Sequence, residues 1–150
     1  MPDQGHNATL HGGGFHHIAI RANDFEATLR FYTEGLGFRR VYGWGEDGRS
    51  RGERDSRAVM LDTGDGNYLE VFAGGTLAPG EAIPEGALLH YALRTTNCDA
   101  ALERARDAGA TVTMEPKTVP INGDTPKEFR IAFVRGLDGE IIEFFQNDSL

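Results

Sequence analysis

The stretch Arg130–Gln146, RIAFVRGLDGEIIEFFQ, reads as two strands joined at Asp138-Gly139. The second strand carries one acidic residue, Glu143, among apolar neighbours. An unpaired carboxylate is costly to bury, so an acid at this position needs a physical explanation.

The same pattern occurs earlier in the chain, in Arg57–Phe72, RAVMLDTGDGNYLEVF. Glu70 there precedes Glu143 by 73 residues, and His17 precedes His90 by the same 73 residues. A fixed offset of this kind indicates two equivalent modules. Two histidines and two glutamates therefore occupy equivalent positions, an arrangement that chance rarely produces.

The repeat divides the chain into four segments. Residues 1–14 form a polar, glycine-rich arm that we expect to be flexible, and residues 15–73 form module one. Residues 74–86 form a Gly- and Pro-rich linker, and residues 87–147 form module two. Alternating and helical apolar spacings give each module the order β-α-β-β-β, so the predicted fold class is α+β.

Local signals predict the ends of several elements. Asn23 or Asp24 caps the first helix, and Glu26 stands where a capping box from Asn23 would place it. Two-residue Asp-Gly turns are expected in both hairpins. Glu115–Lys127 contains three prolines and is predicted to be a long loop, of the kind that often forms a functional lid.

Strand alternation separates the two neighbouring histidines of the first strand. His17 falls on one face, and His16 falls on the other with no predicted ligand role. If the helix covers the Ile18 face, His17 and Glu70 face away from it. Two such sheets related by a pseudo-twofold axis would bring both His–Glu pairs toward one centre.

Two imidazoles and two carboxylates suit one divalent ion, namely Zn, Ni, Co, Mn or Fe. Four protein ligands also leave a position open for water or substrate. A single histidine on a strand, or a single glutamate near a strand end, is usually an ordinary polar residue. Four of them in register favour a metal site.

Composition narrows the classes of function. The chain has 150 residues, a net charge of −8 and one cysteine, Cys98, which excludes an internal disulfide. The acidic balance argues against nucleic-acid binding. No apolar run approaches the length of a membrane span, and Met1–Phe15 lacks an apolar signal segment, so a cytoplasmic protein is expected.

Two stretches resemble the signatures of the vicinal oxygen chelate superfamily, the glyoxalase/bleomycin-resistance/extradiol-dioxygenase fold. They are Phe15–Phe38, FHHIAIRANDFEATLRFYTEGLGF, and Phe133–Phe145, FVRGLDGEIIEFF. The closing signature is usually written with Asp-Pro-Asp-Gly before the glutamate, and this chain departs from it at Gly136 and Leu137. The resemblance implies two βαβββ modules that form a half-open barrel around a metal site.

The resemblance also implies roles for residues. The metal ligands of the superfamily occupy the positions of His17, Glu70, His90 and Glu143. This set is most similar to that of glyoxalase I, a lyase that isomerises a hemithioacetal through an enediolate. Glu143 would then be the catalytic base that moves a proton between carbons, next to one divalent metal ion. An aromatic substrate pocket is expected from Tyr42, Trp44, Tyr68, Phe72, Tyr91 and Phe145, and Arg21 and Arg94 are candidate anion partners.

Two other functions stay open. An Fe(II) extradiol-type dioxygenase uses two histidines and one carboxylate, and the additional Glu70 argues against it. A metal-free antibiotic-binding protein of the bleomycin-resistance type lacks the ligand set, and retention of all four ligands argues against that. A small-molecule substrate and a homodimer are implied by resemblance, with the modules pairing either within one chain or across two.

Overall fold

The computed structural model describes residues 7–48, 52–78 and 81–149. The elements of module one are β1 (His17–Arg21), α1 (Phe25–Arg30), a π-helical segment (Phe31–Gly35), β2 (Arg39–Trp44), β3 (Ala58–Asp62) and β4 (Tyr68–Phe72). Those of module two are β5 (Tyr91–Arg94), α2 (Cys98–Asp107), β6 (Thr111–Asn122), β7 (Pro126–Arg135) and β8 (Ile141–Gln146). The α+β class and the two βαβββ modules are confirmed. Residues 1–6 of the predicted arm and 79–80 of the predicted linker lie outside the described residues.

The two modules have the same sheet topology. Module one has the strand order β1-β4-β3-β2, and module two has β5-β8-β7-β6. In each module the first strand pairs in parallel with the last, so that Ala19 lies beside Glu70 and Ala92 lies beside Glu143. The 73-residue offset in sequence is therefore an offset between equivalent positions of two sheets.

A salt bridge repeats at the same offset. Arg57 at the start of the first hairpin contacts Glu26 of α1 at 2.6 Å. Arg130 in the second hairpin contacts Asp99 of α2 at 2.6 Å. Each arginine thus ties the hairpin of its module to the first turn of the helix.

Asp24 caps α1, because its carboxylate accepts a hydrogen bond from the Ala27 backbone N–H at 3.0 Å. The predicted capping box with Asn23 is wrong. The Asn23 backbone N–H donates instead to Asp138, and the Glu26 carboxylate is held by Arg57. No helix in the described residues has the length and apolar character needed to cross a membrane.

The two-residue Asp-Gly turns are also wrong. The strands of the hairpins are joined by the longer connections Thr63–Asn67 and Gly136–Glu140, closed by backbone hydrogen bonds of 3.1 Å and 2.8 Å between their end residues. Gly66 and Gly139 each have a φ of 90°, so the glycines still supply the left-handed conformation of the turn. The Asp-Gly pair located both turns but did not fix their length.

The predicted Glu115–Lys127 loop is wrong as well. These residues continue β6 and begin β7, and the two strands pair as far as Asn122 and Pro126. The prolines are tolerated because β6 is the edge strand of its sheet and Pro126 is the first residue of β7. The segment is therefore a long β-ribbon rather than a lid loop.

The helices lie between the two sheets. One cluster of buried side chains takes members from both modules, including Leu69 and Val71 of β4 and Ile142 and Phe144 of β8. The π-helical segment contacts α2, and Arg104 donates a hydrogen bond to the Glu34 carbonyl at 2.8 Å. Each sheet therefore buries one face toward the helices and opens the other face outward, and the two sheets of one chain do not close into a barrel.

Buried polar groups connect the modules. The Asp138 carboxylate accepts hydrogen bonds from the Asn23 backbone N–H at 2.8 Å and from the Thr28 hydroxyl at 2.7 Å. The Tyr32 hydroxyl, which also contacts that of Tyr91, donates to Glu140 at 2.8 Å. The connection between β7 and β8 is therefore fixed to α1 of the other module.

Stability should depend on pH through Glu140. Desolvation, followed by the charge of Asp138, raises the pKa of Glu140 from 4.5 to about 7. The contribution of Glu140 to the free energy of unfolding is therefore complete below about pH 4.5 and is lost as the pH rises through 7. The loss amounts to roughly 3 kcal/mol.

Glu140→Gln is expected to flatten this dependence, as measured by urea unfolding between about pH 5 and pH 7.5. The exposed Glu128→Gln on β7 is the matched control and should keep the wild-type dependence. An unchanged pH dependence in Glu140→Gln would contradict the assignment.

Candidate metal centre

Each sheet carries one His–Glu pair on its open face. His17 Nε2 lies 3.2 Å from Glu70 Oε2, and His90 Nε2 lies 3.0 Å from Glu143 Oε2. The parallel pairing of the first and last strands of each module places the two residues of a pair on adjacent strands. The sequence therefore identified both pairs correctly.

The two carboxylates differ in their surroundings. Glu143 is only 8 % exposed, and desolvation raises its pKa while the contact with His90 acts in the opposite direction. Glu70 is half-buried, and both histidines keep exposed rings. A cation bound between imidazole and carboxylate would offset the cost of desolvating the acid, so the donor atoms suit a divalent ion.

The two pairs do not meet within one chain. Among residues 7–48, 52–78 and 81–149, which include all four proposed ligands, no three His, Cys, Asp or Glu side chains gather as a metal-binding group. The reason is the packing of the modules, because the helices lie between the sheets and the open faces point outward. Of the two pairings considered, convergence inside a single chain is therefore not observed.

His16 lies next to His17 and not on the opposite face. The ring Nδ1 atoms of the two residues are 2.9 Å apart, and the His16 ring packs 5.1 Å from the ring of Tyr68. β1 begins at His17, so strand alternation does not extend to His16. A hydrogen bond at Nδ1 leaves Nε2 of His17 directed toward Glu70, which is how partners orient metal-binding histidines.

Comparison of the modules hid this contact, because the residue equivalent to His16 in module two is Leu89. The consecutive histidines were the available signal. Phe133 was also missed. It pairs with Glu143 across β7 and β8, and its ring meets the His90 ring edge-on at 5.3 Å.

Four of the predicted pocket residues line the open face of module one. The Tyr42 and Trp44 rings are 5.7 Å apart, and Trp44 meets Phe72 at 6.1 Å. Tyr68 and Phe72 flank Glu70 on β4 and share its face. Tyr42 is 65 % exposed, so this aromatic surface is largely open to solvent in the single chain.

The remaining predicted pocket residues lie in module two. Phe145 shares the face of Glu143 and packs against Phe129 at 5.0 Å. Tyr91 faces the helices, is 9 % exposed and contacts the hydroxyl of Tyr32. Since neighbouring residues of a strand point to opposite faces, Tyr91 is separated from the other five.

The two candidate anion partners already have contacts. Arg21 donates a hydrogen bond to the Ala73 carbonyl at 2.9 Å and lies 5.4 Å from the centre of the Phe72 ring. Arg94 contacts Asp65 of module one at 3.5 Å, and both side chains are exposed. Arg21 therefore supports the aromatic face from its edge, and Arg94 bridges the modules.

The profile of the Glyoxalase/Bleomycin resistance protein/Dioxygenase superfamily matches residues 14–144. The chain belongs to this superfamily. A relative, the uncharacterized protein YwbC of Bacillus subtilis strain 168, is 29 % identical over 133 residues, which cover 87 % of this chain and 94 % of YwbC.

Two solved structures show how varied proteins with this fold are. TnmS3, an antibiotic binding protein from Streptomyces sp. CB03234, has a TM-score of 0.62 and 23 % identity, covering 91 % of this chain and 97 % of TnmS3. A mutant of the fosfomycin resistance protein FosX from Listeria monocytogenes, in complex with Mn(II) and a dihydroxypropylphosphonic acid, has a TM-score of 0.63 and 16 % identity, covering 91 % and 94 %. At these identities the likeness establishes the fold and leaves the activity of this superfamily member to its own residues.

The contact between His16 and His17 generates a test. His16→Leu, which copies Leu89 of module two, should weaken divalent-metal binding about tenfold, because His17 loses the partner that orients its ring. Calorimetric titration of the metal-free protein with Ni²⁺ and Zn²⁺ measures this change. His11→Asn in the N-terminal arm is the control, since asparagine tolerates the φ of 55° at that position. Equal affinities for wild type and His16→Leu would remove the orienting role.

Proposed function

We propose that this superfamily member is a metal-dependent lyase or isomerase of glyoxalase I type, acting on a small substrate with vicinal oxygens. The observation that supports it most is the repetition of one His–Glu pair in both modules at nearly equal Nε2–Oε2 distances of 3.2 and 3.0 Å. An incidental pair would need no equivalent partner 73 residues away.

His17, Glu70, His90 and Glu143 would together hold one divalent ion, drawn from Zn, Ni, Co, Mn and Fe. When bound, the ion would supply Lewis-acid polarisation of the vicinal oxygens and make an adjacent C–H more acidic. Both carboxylates are placed as ligands in the same way, which favours this site over the one-carboxylate site of an iron dioxygenase.

The four-residue site requires two chains. We infer a homodimer in which His17 and Glu70 of one subunit meet His90 and Glu143 of the partner subunit. Each chain presents its pairs on outward sheet faces, and the face of module one carries the exposed rings of Tyr42 and Trp44. A dimer of this kind would bury those rings and contain two complete sites.

Glu143 is proposed as the general base. Its carboxylate is largely desolvated, and desolvation raises its pKa, which favours proton uptake from carbon. It would take a proton from the carbon next to a substrate carbonyl and return it to the neighbouring carbon, with no net change in protons. His90, in contact with Glu143 at 3.0 Å, holds the carboxylate in place between the two transfers.

Glu143→Gln tests the base. We expect turnover to fall about 10²- to 10⁴-fold, because the amide cannot accept the proton. Hemithioacetals and epimerisable acyl thioesters are the substrates to assay, with metal content determined on the same preparations. Glu128→Gln is the control of equal chemistry at an exposed site. Turnover retained in Glu143→Gln would exclude Glu143 as the base.

Mixed dimers test the shared site. Neither His17→Ala nor Glu143→Ala homodimers should bind the ion tightly or turn over substrate. A heterodimer of the two variants would carry both defects in one shared site and leave the other site intact, so activity and about one tight ion per dimer should return. If each site formed within a single chain, every site in the mixture would remain defective, and this outcome would contradict the shared site.

A metal-free binding protein is the second candidate. The observation that favours it is the open aromatic face of module one, where Tyr42 and Trp44 are exposed beside each other. Tight binding of an aromatic antibiotic by metal-free protein, unchanged in Glu143→Gln, would favour this function over the lyase.

A further inference from the structure

The β6–β7 hairpin extends beyond the rest of its sheet. β7 pairs with β8 only as far as Arg130 and Gln146, whereas β6 and β7 remain paired to Asn122 and Pro126. We refer to residues 117–131 as the ribbon. At about 3.3 Å per residue, its paired strands project about 13 Å past the last pair with β8.

One face of the ribbon continues the face that carries Glu143. Phe133 lies directly opposite Glu143, so alternation places Ile131 and Phe129 on the same face of β7. Their partners on β6 are Lys117 and Val119, respectively. The other face is polar, because Arg130 there donates to the Thr118 hydroxyl at 3.1 Å and pairs with Asp99.

The shared face forms an apolar floor, which we define as Val119, Phe129, Ile131, Phe133 and Phe145. All five side chains are half-buried, and Phe129 packs against Phe145 at 5.0 Å. Phe133 and Phe129 are four residues apart, so the floor runs about 13 Å from the Glu143 carboxylate along β7. This length accommodates two fused aromatic rings.

The floor does not match a charged substrate body. Its members carry no charge, and Lys127, at the far end of the ribbon on the same face, already donates a hydrogen bond to the Ser149 hydroxyl at 2.9 Å. A peptide body with two carboxylates, as in glutathione, would lose hydration over this surface without gaining ion pairs. A flat apolar body would gain from the same burial.

We propose that the apolar floor selects substrates in which the vicinal oxygens are attached to a flat aromatic body lying along β7. This inference rests on the proposed function, because Glu143 and the vicinal oxygens mark one end of the floor. Phe129 and Val119 are specificity-determining residues that contact the body of the substrate and leave the oxygens to the four ligands.

Two hydroxamic acids test the floor. Acetohydroxamic acid and 2-naphthohydroxamic acid present the same two vicinal oxygens and differ only in the apolar body. Calorimetry on Ni²⁺-loaded protein should show that the naphthyl compound binds at least about tenfold more tightly. Phe129→Ala and Val119→Ser should remove most of this ratio and leave the affinity for acetohydroxamic acid unchanged.

Thr118→Ala is the matched control, because Thr118 lies on the same ribbon but on its polar face. It should leave both affinities unchanged. Equal binding of the two hydroxamic acids by wild type, or an equal loss in Thr118→Ala and Phe129→Ala, would overturn the proposal.

A third compound separates this proposal from the proposed function. 2-Naphthamide carries the same rings without the second oxygen and can be titrated into metal-free protein. If the chain retains no metal, weaker naphthamide binding in Phe129→Ala still supports the floor, whereas affinity independent of Phe129 overturns it. Size-exclusion chromatography of Phe129→Ala completes the test, because dissociation into monomers would assign the floor to the contact between subunits and overturn the proposal.

Discussion

The arrangement of the chain depends on the buried hydrogen bonds between Asp138, Glu140 and α1. Desolvation raises the pKa of both carboxyl groups, and each is compensated by hydrogen bonds, from Asn23 and Thr28 to Asp138 and from Tyr32 to Glu140. These bonds can form only when the connection between β7 and β8 lies against α1. They therefore fix the packing of helix against helix, and with it the outward direction of both open faces.

The outward direction determines what one chain can do. A chain carries two halves of a metal site, each with one imidazole and one carboxylate, on faces that cannot meet each other. In the proposed dimer the ion joins two subunits, so metal binding and association stabilise each other by mass action. The same packing that stabilises the monomer thus makes the site a property of the assembly.

The modules retain their repeat where sheet geometry requires it and differ elsewhere. The registers of Glu70 and Glu143 are equivalent, and so are the helix-to-hairpin salt bridges of Arg57 and Arg130. Module one adds an oriented His17 and an exposed aromatic face, whereas module two has the more deeply buried Glu143 and the ribbon. This asymmetry assigns the proton transfer and the selection of the substrate body to module two, within the proposed function.

The sequence by itself determined the two βαβββ modules, the faces of β1 and β4, and the two His–Glu pairs. It could do so because these depend on strand alternation and on one fixed offset, both of which are local or repeated along the chain. It did not determine the Glu115–Lys127 segment, because prolines disfavour a strand only where the missing N–H is needed, and whether β6 lies at an edge is a property of the assembled sheet.

Tertiary structure also decided how the modules pack and whether the two pairs meet. That outcome rests on Asp138 and Glu140 reaching across 115 and 108 residues to Asn23 and Tyr32. No local pattern announces such contacts, since the equivalent residues of module one are Asp65, which is exposed, and Asn67. The identity of the candidate ligands is therefore written in the sequence, and their grouping into sites follows from the three-dimensional packing.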